Sequence, residues 1–407
     1  MTPKRNILAG LDVGSTKVCC AVGESLPDSG IRLLGLGEAP CDGLDRGNLV
    51  NVEATVEAIR AAVDAAGRMA GVTIREALLG ISGEHVRGIQ SRGVIGISRR
   101  DKEVVREDVE RVLEAARAVK IPADRELLHV IPRGFTVDEQ SGIRDPLGMS
   151  GIRLEAEVHI VTIASPPVRN LLRAVARAGI GIDSLVLQPL AASLSVLGED
   201  EKGLGVALVD IGGGTSDVVL FESGVVRHTA IVGLGGRHLT QDIAIGLRTP
   251  ADRAEELKIH HGCAVSARVP AEEVVEVPGV GGRAPRVISR QVLAAIIEPR
   301  AEEILMLILQ ELDRCGATDL LGAGVVMTGG SSLLPGMVEL AERVLGIPAR
   351  IGVPRAIEGL PEGEGRPGHA VALGLLLHGA ETERGRDSGR GFLGLFRRPR
   401  EWVREYL

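Results

Sequence analysis

Two similar segments place an aspartate at the end of an apolar run and follow it with small residues. Leu11–Thr16 reads LDVGST, and Val209–Thr215 reads VDIGGGT. Gly, Ser and Thr in a turn let backbone N–H groups approach and cradle phosphate oxygens. Asp12 and Asp210 would repel phosphate, but each can hold a hydrated Mg²⁺ that bridges phosphate oxygens. Ordinary hairpin turns share this composition, yet two copies in one chain favour a polyphosphate site between two similar lobes.

A third segment, Val326–Ser332, reads VMTGGSS and ends a strand-like run with two glycines before a helical pattern. Such a junction lets a flat base or a ribose lie close to the backbone. Junctions of this kind are common in α/β proteins, so the segment points to nucleotide binding only in combination with the two phosphate turns.

The elements around these turns follow an α/β pattern. Strands are predicted at 7–12, 18–22, 78–81, 185–187, 206–211, 218–221 and 325–328, and helices at 52–70, 333–345 and 369–379. From 84 to 163 the pattern changes to a small α+β insertion. The region 230–304 is mostly helical, with Ser289 as the N-cap of a long helix that Pro299 should kink or divide.

Composition excludes several classes of protein. The chain has 407 residues, which predicts two or three domains, and its formal net charge of −7 argues against a general nucleic-acid binder. Its five cysteines are odd in number and form no CxxC pair, which argues against a disulfide framework and a zinc module. No run of residues is long and apolar enough to span a bilayer.

The C-terminal segment is unusual because it holds four of the six aromatic residues of the chain. If the segment is helical, its large apolar side chains lie on one face: Phe392, Leu395, Phe396, Trp402, Val403 and Tyr406. Its arginines lie on the opposite face: Arg397, Arg398, Arg400 and Arg404. With a polar linker at 381–391, this pattern predicts an amphipathic helix in an anionic membrane interface. Docking of the helix on the body is the alternative, and Pro399 either opens or kinks the helix.

The order of these segments is similar to the five motifs of the actin, sugar-kinase and heat-shock-chaperone ATPase superfamily, with Gln188–Ser193 between the two turns and Gly368–Gly374 near the end. Within that superfamily the chain resembles the FtsA family of bacterial cell-division proteins over nearly its whole length. The most specific segments are 80–85, 145–151, 158–162, 185–194 and 204–218.

The resemblance implies an α/β, two-lobed actin-like (ribonuclease-H-like) fold with an inserted subdomain. The implied divisions are 1–83, 164–190 and 368–380 for the first lobe (1A), 84–163 for the inserted α+β subdomain (1C), 191–229 and 305–367 for the second lobe core (2A), 230–304 for its helical subdomain (2B), 381–391 for the linker and 392–407 for the membrane-targeting helix.

The resemblance also implies ATP with Mg²⁺ in the central cleft. Asp12 and Asp210 would hold the hydrated ion. The residues implied to contact the nucleotide are Gly14, Ser15, Thr16 and Lys17 at the first turn, Gly212, Gly213, Gly214 and Thr215 at the second, and Gly235, Gly236, Glu255, Lys258, Gly329, Gly330 and Ser331 around ribose and base. Gln188 would orient the attacking water. Glutamine is a poor proton acceptor, so we expect at most slow ATP hydrolysis, with ATP mainly a switch.

The partners that the resemblance implies are the C-terminal peptide of FtsZ, further copies of the chain, an anionic membrane surface and other division proteins, and no nucleic acid. Arg300 is expected in the peptide-binding surface. The expected location is the cytoplasmic face of the cell membrane, peripherally, at the division site. Two alternatives stay open: a pilus-assembly scaffold similar to PilM, and a small-molecule kinase of the same superfamily, which would need a polar substrate pocket and no amphipathic tail.

Overall fold

Two five-stranded sheets form the framework of the protein. The computed structural model describes residues 6–26, 30–316, 320–355, 357–360 and 365–388. In spatial order the first sheet contains β3 (Ile31–Pro40), β2 (Lys17–Ser25), β1 (Ile7–Val13), β6 (Glu76–Ile81) and β11 (Gly181–Leu187). The second contains β14 (Val225–Val232), β13 (Ser216–Glu222), β12 (Val206–Ile211), β17 (Val325–Thr328) and β18 (Ala349–Ile351).

The two sheets share one topology. In each, an antiparallel three-stranded meander is extended by two parallel strands. Asp12 on β1 lies opposite Gly80 on β6, and Asp210 on β12 lies opposite Thr328 on β17. The two aspartates therefore occupy equivalent positions, and the two-lobed α/β architecture predicted from the sequence is confirmed.

The first lobe carries helices on both faces of its sheet. They are α1 (Val52–Ala70), α3 (Ser165–Arg177), α4 (Gln188–Val196) and α10 (Ala370–Ser388), with the short strands β4 (Leu44–Asp45) and β5 (Asn48–Leu49) before α1. Helix α5 (Glu199–Leu204) packs against β13 of the second sheet. Helix α4 packs against α10 and against the second sheet, while α10 packs against β1. This helix pair thus joins the two lobes beneath the cleft.

The second lobe is completed by α6 (Gly236–Leu247), α7 (Ala251–His261), α8 (Arg290–Arg314), α9 (Met337–Leu345) and the hairpin of β15 (Val274–Val277) and β16 (Arg286–Ser289). Short 3₁₀ turns lie at Ser266–Arg268, Gly330–Leu333 and Pro367–His369. The hairpin was not anticipated, because its strands are only four residues long and flank a loop rich in glycine and proline.

Helix α8 confirms the N-cap and is not divided at Pro299. The Ser289 side chain accepts a hydrogen bond from the Gln291 N–H at 3.2 Å. Residues on both sides of the proline are held by other elements: Glu298 accepts a bond from Ser266 Oγ at 2.6 Å, and Arg300 Nε donates to Asp242 Oδ2 at 2.7 Å. These contacts help to offset the roughly 3 kcal/mol that an internal proline costs a helix.

The insertion is a four-stranded antiparallel sheet covered by α2 (Arg106–Arg117). Its order is β7 (Val86–Gly96), β10 (Arg153–Ala164), β8 (Arg125–Val137) and β9 (Gln140–Ile143). It contacts the second lobe at β14, where His159 Nε2 and Thr229 Oγ1 lie 2.8 Å apart. Arg144 also donates to the Ser223 carbonyl oxygen at 2.7 Å.

The C-terminal boundary differs from the prediction. Helix α10 continues to Ser388 and so overlaps the first part of the predicted linker at 381–391. An established helix adds residues readily, and its last turns have contacts: Asn6 Nδ2 donates to Glu383 Oε2 at 2.5 Å. The rest of the linker and the predicted membrane helix lie outside the described residues. Within the described part of the chain, no helix is long and apolar enough to cross a membrane.

Candidate functional site

A cleft of about 460 Å³ lies between the two lobes. All but one of the residues predicted to contact nucleotide line it, and Gln188 lines it as well. Those lining residues are Asp12, Gly14, Ser15, Thr16, Lys17, Asp210, Gly212, Gly213, Gly214, Thr215, Gly236, Glu255, Lys258, Gly329, Gly330 and Ser331. Gly235 does not line the cleft; it is the N-cap of α6 and packs against the backbone of Gly212 and Gly213.

The two glycine-rich hairpins have the same internal geometry and face each other. The Gly14 N–H donates to the Lys17 carbonyl oxygen, and the Gly212 N–H donates to that of Thr215, both at 2.9 Å. A Cβ on Gly213 would lie 2.4 Å from Thr16 Cγ2 in the opposite hairpin. Any larger residue there would push the hairpins apart. Backbone N–H groups in such turns form concave sites for anions.

Three carboxylates lie near the base of this cleft. Burial raises the pKa of Asp12 to about 7 against the opposing effect of Lys17. Burial, with the neighbouring Asp217 and Asp12 charges, raises the pKa of Asp210 well above its usual value. Burial also raises the pKa of Asp217 to about 6. Nearby positive charge would favour the ionised forms, so the electrostatics suit a cation.

Asp217 was missed by the sequence reasoning. It pairs with Asp210 across the β12–β13 hairpin and lines the cleft. The signal was present, because Asp217 follows the VDIGGGT segment by two positions.

The donor set fits a hydrated cation better than a fully protein-bound one. Among the residues that the structure describes, no group of three or more His, Cys, Asp or Glu side chains is arranged to hold a metal ion. Mg²⁺ retains several waters and takes one or two carboxylates besides phosphate oxygens. Asp12 and Asp210, which are equivalent in the two lobes, provide that number.

Gln188 is the first residue of α4, and its side chain contacts one of these aspartates. Its Nε2 donates to Asp12 Oδ1 at 2.9 Å. This bond occupies the amide nitrogen and orients the side chain in the cleft, where the amide oxygen can accept a hydrogen bond but cannot serve as an effective base.

Lys17 is paired with a residue that the sequence did not identify. Its ammonium group forms a salt bridge with Glu38, and the same Glu38 oxygen lies 3.0 Å from His369 Nε2. The hydrogen bond from His369, followed by the effects of Lys17, lowers the pKa of Glu38 to about 2. These three residues come from distant parts of the chain, so no local motif could have revealed the cluster.

Glu255 and Lys258 stand one helical turn apart on α7 and bind each other. Lys258 Nζ donates to Glu255 Oε2 at 2.7 Å, to Thr240 Oγ1 at 2.9 Å and to the Gly236 carbonyl oxygen at 3.0 Å. Burial lowers the pKa of Lys258. Ser331 lies on the same side of the cleft, and its Oγ donates to the Gly212 carbonyl oxygen at 3.1 Å.

Arg300 does not line the cleft. It lies on α8 and bridges to Asp242 on α6 and to Glu303 on its own helix. Its side chain is 29% exposed. The residues predicted to contact the membrane fall in 392–407, outside the described residues.

Comparison with protein families gives two matches. A model described as "Cell division protein FtsA" matches residues 207–374, and one described as "SHS2 domain inserted in FTSA" matches residues 83–162. The chain is 46% identical over 377 residues to the cell division protein FtsA of Pseudomonas aeruginosa, covering 93% of this chain and 90% of that protein. It is 40% identical over 385 residues to that of Escherichia coli K12, covering 93% and 91%.

Solved structures share the fold at low identity. A structure titled "PilM-PilN type IV pilus biogenesis complex" matches with a TM-score of 0.66 and 20% identity, covering 93% of this chain and 99% of that one. MreB5 of Spiroplasma citri bound to ADP matches with a TM-score of 0.55 and 15% identity, covering 96% and 100%. These similarities show that the predicted actin-like fold is correct.

Proposed function

This chain belongs to the FtsA family of cell-division proteins, and from that premise we propose that it binds ATP with Mg²⁺ between its lobes and tethers FtsZ filaments to the membrane. The observation that carries the nucleotide proposal is the pair of equivalent hairpins, which face each other across one cleft with an aspartate beside each. Neither hairpin alone would distinguish a phosphate site from an ordinary turn.

Different residues of the cleft would contact different parts of the nucleotide. Backbone N–H groups of the two hairpins would bind the distal phosphates, while Asp12 and Asp210 would hold the hydrated Mg²⁺, which neutralises phosphate charge. Lys258, Glu255 and Gly329–Ser331 would contact ribose and base from the second lobe. The phosphates would thus contact both lobes at once, which favours the closed arrangement when ATP is bound.

The geometry favours a switch over rapid hydrolysis. Phosphoryl transfer to water depends on positioning the water in line and on stabilising charge. Gln188 is the candidate to orient that water, but its amide nitrogen is bound to Asp12 and its amide oxygen is only weakly basic. We therefore propose slow turnover, with bound ATP mainly determining whether the lobes are closed.

Isothermal titration calorimetry tests nucleotide binding directly. The purified full chain is titrated with ATP in the presence of Mg²⁺, and then with ATP in the presence of EDTA. Saturable binding that weakens without the metal is expected. An absence of heat under both conditions, with the protein shown to be folded by circular dichroism, contradicts the proposal.

We further propose that helical subdomain residues around Arg300 bind the C-terminal peptide of FtsZ. Arg300→Glu should weaken binding of that peptide in a titration. Because Arg300 also binds Asp242, loss of the α6–α8 contact alone could weaken binding. Asp242→Asn is the matched control, since it breaks the same ion pair and leaves the guanidinium available. Equal losses in both variants would remove Arg300 from the peptide surface.

The proposed location is the cytoplasmic face of the cell membrane at the division site, with peripheral attachment through 392–407 and self-assembly of the attached copies. Support comes from the family membership and from the separation of aromatic and arginine residues in that segment. The alternatives, a PilM-like scaffold and a small-molecule kinase, have weaker support. The PilM–PilN match shows only a shared fold, and the relatives at 40–46% identity over most of the chain are FtsA proteins.

A further inference from the structure

Arg237 connects the two lobes at the mouth of the cleft. It is the second residue of α6, in the second lobe, and its guanidinium donates two hydrogen bonds to backbone carbonyl oxygens of the first lobe. One acceptor is Leu44, at 3.0 Å from Nη1, and the other is Ser15, bound through Nη2. Ser15 belongs to the first phosphate hairpin, and both acceptor residues line the cleft.

The backbone of the same residue binds the opposite hairpin. The Arg237 N–H donates to the Gly213 carbonyl oxygen at 2.8 Å, beside the bond from the Gly236 N–H to Gly212 at 2.9 Å. Arg237 therefore holds the second hairpin by its main chain and the first by its side chain. Arg237 itself is not among the residues that line the cleft.

We propose that Arg237 is a positioning residue that keeps the lobes closed over bound nucleotide and thereby sets the rate at which nucleotide leaves. The inference rests on the proposed ATP binding for the identity of the ligand. Both side-chain bonds exist only while the hairpins face each other, since separation of the lobes by a few ångströms takes donor and acceptor beyond bonding distance. An interaction made only in the closed state shifts the equilibrium toward that state.

The chemistry of the side chain suits this role. A planar guanidinium presents several fixed N–H donors and can bind two carbonyl oxygens at once. A lysine ammonium at the same position is a single compact charge and reaches one acceptor more readily than both. Arg237→Lys should therefore keep part of the side chain's stabilisation of the closed state, and Arg237→Ala should keep none of it.

The test is a stopped-flow measurement of the dissociation of a fluorescent ATP analogue from the full chain in Mg²⁺. Arg237→Ala should release the analogue about tenfold faster, because two hydrogen bonds of the closed state are lost. Its association rate should change much less, and Arg237→Lys should give an intermediate release rate. The control is Arg60→Ala, which removes a guanidinium bound to the Arg177 carbonyl oxygen within the first lobe. Release from that variant should match the wild type.

A second measurement needs no nucleotide. Hydrogen–deuterium exchange of the nucleotide-free proteins should show faster exchange at both hairpins in Arg237→Ala and no change there in Arg60→Ala. Unchanged release and unchanged exchange in Arg237→Ala would overturn the inference. A lowered melting temperature with faster exchange throughout the second lobe would also overturn it, since that result indicates a structural role. If the wild type binds no nucleotide, the proposed function fails, and exchange at the hairpins still decides whether Arg237 closes the cleft.

Discussion

Asp12 illustrates how a single residue can oppose folding and favour binding. Its carboxylate is held in the cleft next to Asp210 and Asp217, and burial raises its pKa to about 7. The unfolded chain has the ordinary pKa near 3.8. The free energy of unfolding is therefore highest below about pH 4, where Asp12 is protonated in both states. It falls as the pH rises through 7, because the unfolded chain ionises the carboxyl more readily than the folded protein does. A bound cation would reverse this loss by pairing with the ionised carboxylates.

Replacing Asp12 with asparagine should therefore have opposite effects on folding and on binding. In EDTA at pH 8, Asp12→Asn should raise the free energy of unfolding by about 1–3 kcal/mol, because no charge is buried. The gain should shrink at pH 5, where wild-type Asp12 is protonated. ATP affinity in Mg²⁺ should fall at least about tenfold, the effect of losing roughly 1.4 kcal/mol of binding free energy. Thermal melts and calorimetry measure both quantities.

Asp64→Asn controls for the general effect of removing a negative charge, because Asp64 is exposed on α1. It should leave both stability and ATP affinity unchanged. A loss of stability in Asp12→Asn at pH 8 would contradict the assignment of Asp12 as a buried, unfavourable charge.

Gly329 and Gly330 are neighbours with different structural requirements. Gly329 has φ +82°, and a Cβ there would lie 2.2 Å from Asp210 Oδ1. Gly330 has no atom within 4 Å of its potential Cβ. Gly329→Ala should therefore lower the free energy of unfolding by at least about 1–2 kcal/mol through its backbone strain, with a further loss from the clash.

Gly330→Ala is the matched control and should change the free energy of unfolding by no more than about 0.5 kcal/mol. Chemical denaturation of both variants makes the comparison. Equal stabilities would show that the close approach of Gly329 to Asp210 has no energetic consequence.

At the scale of elements, predictability depended on how local the determining interactions are. Helix α1 could be placed at Val52–Ala70 because its apolar side chains recur at helical spacing, and the structure adds that Asn51 caps it. Strands β12 and β17 begin and end where their apolar runs do. The hairpin of β15 and β16 was not foreseen, because short strands carry too few residues to show alternation.

Predictability of the site followed the same rule. Residues within the two turns were identified because a short motif contains both the aspartate and the glycines that are proposed to bind phosphate. The cluster around Glu38 was not, since Lys17 and His369 meet Glu38 only after the first sheet and the segment before α10 have packed. The contacts of Arg237 could not be predicted for a similar reason, because its acceptors on the first lobe are backbone atoms that no sequence pattern marks.

The junction between the insertion and the second lobe contains one buried and one half-buried histidine. His159 on β10 faces Thr229 and His228 on β14, and burial, with nearby His228 and Arg133, lowers its pKa to about 3. The folded protein keeps this side chain neutral, whereas the unfolded chain protonates it near pH 6.5. The free energy of unfolding therefore has its full value above pH 6.5. It falls as the pH drops from 6.5 toward 3, because only the unfolded chain gains the proton in that range.

His159→Gln should reduce this acid sensitivity. Each pH unit below 6.5 lowers the free energy of unfolding of the wild type by about 1.4 kcal/mol for one such histidine. The difference in the free energy of unfolding between pH 7.5 and pH 5.5, measured by thermal melts, should therefore be smaller in the variant by about 1 kcal/mol. The exposed His260 provides the control His260→Gln, which should behave as the wild type. An identical pH dependence in all three proteins would show that His159 does not determine it.

At the scale of the whole molecule, charge is divided unevenly between the body and the C-terminal segment. The chain has a net charge of −7, yet residues 384–407 contain seven arginines and three acidic residues. The body is therefore more acidic than the whole and would be repelled by an anionic membrane, while the segment would be attracted. The proposed attachment would therefore depend on this segment, and helix α10 carries the chain from the first lobe to its beginning.

The energetics predict that one such segment binds weakly. Each large apolar side chain contributes at most about 1.5–3 kcal/mol when fully buried, and burial in an interface is partial. Each arginine near an anionic leaflet adds about 1 kcal/mol, but ordering a helix of this length offsets much of the gain. Several segments on one polymer would bind far more firmly, because each further attachment is intramolecular.

Vesicle flotation should therefore show binding that depends on self-assembly. Wild-type protein above its assembly concentration should float with vesicles containing anionic lipid, whereas a polymerisation-defective variant should bind much less at the same concentration. Deletion of Phe392–Leu407 should abolish flotation, and neutral vesicles or high salt should weaken it, since screening reduces the arginine contribution. Equal flotation of wild type and the polymerisation-defective variant would mean that a single segment suffices for attachment, and that the filament is not what makes the tether firm.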